Sequence, residues 1–273
     1  MKEIKPCCKI KRENIKAKIK LLSFILIKHF KKIVFVVYYI SKGGYMRELD
    51  IESWNRKDMF NLYYQFDIPQ ISLCTPLEVS KVYEFAKSKD LSFYYCMCHI
   101  FCTALLKFEE FMIRSIKGKI VVEDGEFVNI CAMKQGEEIF KIITGRYYPD
   151  IEKFCKETKK KLQAQTSFTE PLPPDGRRSQ VIAYFSCAPW FEFTHITHPQ
   201  DVQRNSFVPH ISFDKTKTNE KGERWINVSL QVNHAAIDGA LIAKCLDEVK
   251  SIINNLYYRK FCLQAPLGIC KQN

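Results

Sequence analysis

The feature that most constrains the fold is a change of hydrophobic period near the end of the chain. Ile226, Val228, Leu230 and Val232 alternate with polar neighbours, the period of two that marks a half-buried strand. From residue 238 to 255 the apolar positions Leu241, Ile242, Cys245, Leu246, Val249, Ile252 and Ile253 recur at helical spacing. A strand feeding straight into an amphipathic helix demands helices packed on a sheet. Such a junction is also where a polar side chain can project into a cleft, and here it carries His234.

The same reading extends over the rest of the sequence. Residues 77–89 read as an amphipathic helix through Leu77, Val79, Val82, Phe85 and Ala86. Residues 91–108 form an apolar run holding Ser92, Cys96, His99 and Thr103. That run is short of the roughly 20 residues that a membrane span needs, so it reads as a buried core helix. Strands are expected at 120–122, 127–131, 139–144, 181–185, 191–193, 208–213 and 225–232. Residues 151–165 read as a charged helix, 171–176 as a proline-rich loop and 215–223 as a polar hairpin connection. The mixed order is α+β in character, and one domain is expected.

Charge is segregated. Residues 1–45 hold 12 of the 42 Lys+Arg and 2 of the 30 Asp+Glu, so the rest of the chain carries 30 basic against 28 acidic residues. Of the net charge of +12, +10 therefore belongs to the first 45 residues, and the nearly neutral remainder has no nucleic-acid footprint. Three readings of residues 1–45 stand: a membrane anchor, a basic amphipathic surface helix, or a segment foreign to the natural protein. The apolar runs 21–27 and 33–40 are each too short to span a bilayer. Lys42-Gly43-Gly44-Tyr45 directly precedes Met46, and codons for Lys-Gly-Gly can spell a bacterial ribosome-binding site. The expectation is thus that 1–45 is an extension outside the natural protein and that 46–273 is the functional domain. Membrane contact is expected only if 1–45 is genuine. The 12 cysteines are scattered, with no paired CxxC spacing and no His cluster at zinc-ligand intervals. They imply free thiols, a cytoplasmic location and no metal.

Histidine is the side chain whose intrinsic pKa suits proton removal near neutral pH. A lone histidine is more often a satisfied, partly buried side chain, and Asp238 is equally a good helix N-cap. The combination across the chain shifts the weight. Gln231-Val232-Asn233-His234-Ala235-Ala236-Ile237-Asp238-Gly239 contains His-x-x-x-Asp-Gly. Ser186-Cys187-Ala188-Pro189-Trp190 contains Ser-x-x-Pro-Trp, and Trp54-Asn55-Arg56-Lys57-Asp58-Met59-Phe60 contains Trp-x-Arg-Lys-x-x-Phe. In this order and at similar spacing, the three segments resemble the chloramphenicol acetyltransferase family over about residues 47–256.

The resemblance implies a two-layer sandwich, a mixed β-sheet flanked by helices. It implies O-acetyl transfer from acetyl-CoA to a hydroxyl of chloramphenicol or a similar small molecule, the chemistry of antibiotic resistance. His234 would be the general base, and Ser186 the hydroxyl that binds the tetrahedral oxyanion. Asp238 paired with Arg56 would hold the active-site segment in shape. Ser212 matches a position that holds a bridging water. Tyr63 and Gln231 match pocket-lining positions, and Trp190 would pack near the acetyl or pantetheine end or in the core. A homotrimer with active sites between subunits is implied, with no nucleic-acid partner. Asn233 stands where the family has a first histidine, and Ala240-Leu241 replaces its aromatic-His pair. The regions 64–74 and 140–180 match poorly, which opens the choice of acceptor. Two alternatives stay open: a dihydrolipoamide-type acyltransferase core, and an inactive family member that only binds a ligand.

Overall fold

The alternating face of the last strand is where the fold is organised. In a computed structural model, which describes residues 46–169, 180–200 and 206–257, this strand is β10 (Arg224–Asn233). Residues 1–45 and the proline-rich loop at 171–176 lie outside the described residues. The elements before β10 are β1 (Met46–Glu48), α1 (Lys57–Tyr63), β2 (Gln70–Glu78), α2 (Ser80–Ser88) and α3 (Phe93–Leu105). A 3-10 turn (Glu109–Met112), β3 (Ile113–Ile116), β4 (Lys119–Glu123), β5 (Phe127–Ala132), β6 (Lys141–Arg146) and α4 (Ile151–Ala164) follow. Then come β7 (Val181–Cys187), β8 (His210–Phe213), β9 (Lys217–Thr218), β10 and α5 (Gly239–Asn254).

The main sheet has strand order β2-β10-β8-β7-β5-β6, with β9 also pairing β10. Strands β7 and β8 are parallel, as are β5 and β7, and the other pairs are antiparallel. The architecture is the mixed, helix-flanked α+β sandwich that the sequence reading anticipated. A second small sheet, β1-β4-β3, lies apart from it.

One face of β10 is apolar throughout: Ile226, Val228, Leu230 and Val232 are each at most 1 % exposed. Helix α3 lies at the centre of the helical layer and packs on α5, α4, α2 and β7. Ten of its 13 residues are buried, which explains its unbroken apolar run without any bilayer. Among the described residues no helix is long and apolar enough to cross a membrane. Local chemistry sets the helix starts. Ser92 accepts from Tyr95 N, Asp150 from Lys153 N and Asp238 from Leu241 N, each satisfying an orphan donor of a first turn.

The other face of β10 is polar yet buried, with Ser229, Gln231 and Asn233 at 1 %, 5 % and 1 % exposure. A chain segment without regular structure, 191–200, covers part of it. Asn227 Nδ2 donates to Phe193 O (3.0 Å), Ser229 Oγ to Ile196 O (3.4 Å), and His198 N donates to Gln231 Oε1 (2.8 Å). Three alternate residues of the strand, Asn227, Ser229 and Gln231, thus meet the covering segment, as buried polar groups require.

Three local readings change. Residues 191–193 form no strand; Phe191 is 57 % exposed in the covering segment. Leu77 lies in the β2 ladder opposite Ile226 instead of opening a helix, and α2 begins at Ser80, whose N–H donates to Glu78 Oε1. Strand β2 was not anticipated because Pro76 and its mixed polarity disguise it; as a sheet edge it tolerates proline. Helix α1 and strand β3 are further elements not anticipated.

Phe101 is fully buried on α3, with its ring 5.5 Å from that of Phe213. Phe101→Ala is expected to lower unfolding stability by about 3–5 kcal/mol through lost transfer energy and the cavity left behind. Lys221→Ala, at an exposed turn, should stay within about 0.5 kcal/mol. Urea unfolding followed by circular dichroism measures both.

Candidate active site

The junction after β10 is a tight, fully bonded turn. Ala236 N and Ile237 N donate to Asn233 O, and Ala235 N donates to Asn233 Oδ1 (2.9 Å). Asn233 therefore both ends the strand and folds the turn that presents the next side chain. His234 N donates to Pro69 O (2.6 Å), which ties the junction to the segment before β2.

The His234 ring lies against Tyr63 of α1, with centroids 4.1 Å apart and planes 25° apart. Its Nδ1 is 3.0 Å from Ile237 O. A carbonyl oxygen only accepts, so Nδ1 carries the proton. In the neutral ring Nε2 then holds the lone pair.

Asp238 closes this end of the site. Its Oδ1 accepts from Leu241 N (2.7 Å), and its Oδ2 accepts from Arg56 Nη1 (2.7 Å). Arg56 Nε also lies 3.6 Å from Glu110 Oε1. Burial disfavours the charged Asp238 carboxylate, but the Leu241 N–H and the Arg56 guanidinium outweigh it and lower the pKa. The pair holds α1 against the start of α5, on either side of the histidine.

A second cluster sits further back on the polar sheet face. Ser186 of β7, Ser212 of β8 and Ser229 of β10 are level in register. Ser186 Oγ and Ser212 Oγ are 2.5 Å apart, and Ser212 Oγ is 2.8 Å from His198 Nε2. The His198 ring stacks on His210 at 5.0 Å, and His210 lies against Tyr184 at 4.8 Å. Burial lowers the pKa of both imidazoles; for His210, burial and then the neighbouring His198 push it to about 4. Gln231 is held by its bond from His198 N. Trp190 lies at the turn after β7 with 64 % of its surface exposed, so it is no core residue.

The sequence-derived residues thus fall into two groups. Arg56, Tyr63, His234 and Asp238 share the β10–α5 junction. Ser186, Ser212 and Gln231 share the sheet face. Ser229, level with Ser186, lies four residues before the end of β10, so His234 stands more than about 13 Å along the strand from that level, and Ser186 about 10 Å across it. One chain does not bring the His234 and Ser186 side chains together. Sequence reading missed His198 and His210. His210 carried a signal, since it alternates with Ser212 on one strand face; His198 lies on an irregular segment with no period to read. A cavity of about 300 Å³ between β6 and α4, lined by Arg146, Glu157 and Lys161 among others, contains none of these residues. Among the described residues no group of three His, Cys, Asp or Glu is placed to hold a metal ion.

Comparison with known proteins gives a consistent family. The model of the family described as chloramphenicol acetyltransferase matches residues 45–250. "Chloramphenicol acetyltransferase 2" of Escherichia coli is 24 % identical over 209 residues, covering 76 % of this chain and 97 % of its own. A solved chloramphenicol acetyltransferase superposes with TM-score 0.67 at 22 % identity, covering 77 % of this chain and all of that one. A truncated catalytic core of the 2-oxoacid dehydrogenase multienzyme complex from Thermoplasma acidophilum shares the fold at TM-score 0.52 and 11 % identity, over 72 % of this chain and 92 % of that one.

The depressed pKa of His210 gives an acid dependence of stability. A histidine that stays neutral in the fold costs nothing above the unfolded value of 6.5. Below it the unfolded state binds the proton first, so stability falls with pH until about 4. The slope for one such group is at most about 1.4 kcal/mol per pH unit. Between pH 6.5 and 5, His210→Phe should therefore lose stability less steeply than wild type in urea unfolding. Equal slopes would contradict the assignment.

Proposed function

The chain belongs to the chloramphenicol acetyltransferase family and is an acyltransferase, and we propose that it moves an acetyl group from acetyl-CoA to a hydroxyl of chloramphenicol or a similar small molecule, with His234 as general base. The observation that carries this reading is the Nδ1–Ile237 O contact, which leaves a lone pair on Nε2 for an acceptor hydroxyl.

The steps follow from the groups present. The acceptor oxygen attacks the thioester carbon while His234 Nε2 takes its proton. This avoids a free alkoxide and is typically worth about 10²–10⁴-fold. The carbonyl oxygen becomes an oxyanion, which accepts a hydrogen bond from Ser186. One such donor is worth roughly 10²–10³-fold in comparable sites. Collapse breaks the carbon–sulfur bond, and the leaving thiolate takes the proton from His234, restoring the neutral ring. Asp238 and Arg56 do no proton transfer; they fix the junction that aims His234. Tyr63 supports the ring from one side. Ser212 and Gln231 hold the second cluster in place, and the exposed Trp190 is available to the acetyl or pantetheine end.

The separation of His234 from Ser186 supports a site completed by a second copy. In a homotrimer each copy can offer His234 to one neighbour and Ser186 to the other, a head-to-tail contact that closes into a ring. Leu62 at the end of α1, and Phe66 and Ile68 between α1 and β2, are 54 %, 51 % and 60 % exposed, close in sequence to Tyr63 and Pro69, which contact His234. They supply apolar surface for such a contact. The histidines in the second cluster make that wall polar, which fits a hydroxyl-bearing acceptor.

Thiol release from acetyl-CoA in the presence of chloramphenicol tests the reading on the full-length chain. Turnover is expected in wild type, with a loss of about 10²–10⁴-fold in His234→Ala and about 10²–10³-fold in Ser186→Ala. A wild-type rate unaffected by His234→Ala would sink the mechanism. No release with chloramphenicol but release with another small alcohol would keep the mechanism and change the acceptor. No release with any alcohol would favour an inactive binder.

A further inference from the structure

The oxyanion role asks something of Ser186 that its own side chain cannot guarantee. A serine hydroxyl has one proton and two lone pairs. Ser186 Oγ and Ser212 Oγ are 2.5 Å apart, so one proton lies between them. Ser212 is 1 % exposed, and its other neighbour is His198 Nε2 at 2.8 Å. Two directions run through this chain of three groups; a Ser212 that accepted from both neighbours would turn its own proton, on a residue 1 % exposed, away from both. In one, Ser186 donates to Ser212 and Ser212 donates to His198 Nε2; the Ser186 lone pairs then face the reacting carbon, where they repel an oxyanion. In the other, His198 Nε2–H donates to Ser212 and Ser212 donates to Ser186. Only then is the Ser186 proton free for the oxyanion.

We propose that His198 is a positioning residue: its Nε2–H sets the direction of the chain His198 to Ser212 to Ser186 and so turns the Ser186 proton toward the oxyanion. The proposal rests on the acetyl-transfer reading above. The backbone and the ring of His198 are each held in place. The backbone N–H of His198 donates to Gln231 Oε1, its ring stacks on His210, and His210 is in turn held against Tyr184. The opposite direction would have a different chemical consequence. Ser186, relayed through Ser212 to a His198 acceptor, would be a nucleophile toward the thioester. Its proton would pass through Ser212 to His198, the carbon–sulfur bond would break, and the leaving thiolate would take that proton from His198, giving acetyl-Ser186 and CoA thiol. The two directions are therefore distinguishable by product as well as by rate.

Two measurements on the full-length chain test the proposal. The first is ¹⁵N NMR of histidine-labelled protein near neutral pH, with His198→Gln identifying the signals. The proton is expected on Nε2; an Nδ1–H tautomer would overturn the proposal, whatever the activity. The second is thiol release from acetyl-CoA with chloramphenicol, and with water alone, since the oxyanion forms on the thioester whichever oxygen attacks. His198→Leu should lower kcat by about 10²-fold, as Ser186→Ala does, with KM within a few-fold. His198→Gln, which keeps an N–H donor, should recover most of that loss. The double variant Ser186→Ala/His198→Leu should be no slower than Ser186→Ala alone, because both changes remove the same donated proton. Losses that multiply in the double variant, a His198→Gln as slow as His198→Leu, or acetyl-Ser186 detected by mass spectrometry after acetyl-CoA alone would each overturn it. If Ser186→Ala and His234→Ala also keep the wild-type rate, or if release never exceeds the enzyme-free blank, the acetyl-transfer reading itself fails, and the tautomer still stands as a separate result.

Discussion

Burying a polar sheet face is costly unless every donor and acceptor finds a partner. A matched hydrogen bond contributes about 0.5–1.5 kcal/mol, whereas an orphaned buried group costs about 1–3 kcal/mol. Strand β10 meets this constraint on one side and the hydrophobic effect on the other. Its apolar residues seat the helical layer centred on α3. Its polar residues hold the segment that carries Phe193, Ile196 and His198. The same alternation that builds the core therefore places Ser212, Gln231 and His198 beside Ser186.

The end of β10 is under a different constraint. The chain must leave the sheet, turn and enter α5 within the residues between Asn233 and Gly239. Asn233 folds the turn, Asp238 caps the helix, and Arg56 of the α1 N-terminus clamps Asp238. A side chain on so short a turn has little freedom. His234 is left with one ring nitrogen on Ile237 O and one face on Tyr63. The rigidity that keeps the turn folded is also what fixes a single tautomer.

The sequence revealed these two places unequally, for physical reasons. The junction was legible because a change of period is local: Val232 and Leu241 lie on either side of it. The family resemblance was legible because three short segments recur in order, and the match over residues 45–250 bears it out. Register is not local. Nothing in the spacing of Ser186, Ser212 and Ser229 says that they stand level, or that His234 lies well beyond them along β10. Edge strand β2 was hidden by Pro76, and the helix expected from residue 77 began at Ser80 because Leu77 is used in the ladder. The aromatic run 191–193 looked like a strand, yet its backbone serves the covering segment instead. His198 gains its place only from that segment, so no periodic pattern could point to it.

The central claim is that His234 of one copy works with Ser186 of another. Mixing subunits tests it most directly. Full-length His234→Ala and Ser186→Ala chains would be unfolded together at equal amounts, refolded, and assayed for thiol release from acetyl-CoA with the acceptor established for wild type. If the site is shared, some mixed assemblies pair an intact His234 with an intact Ser186, and random mixing should restore about a quarter of the wild-type rate. A mixture no faster than the average of the two variants refolded separately would contradict a site shared between copies.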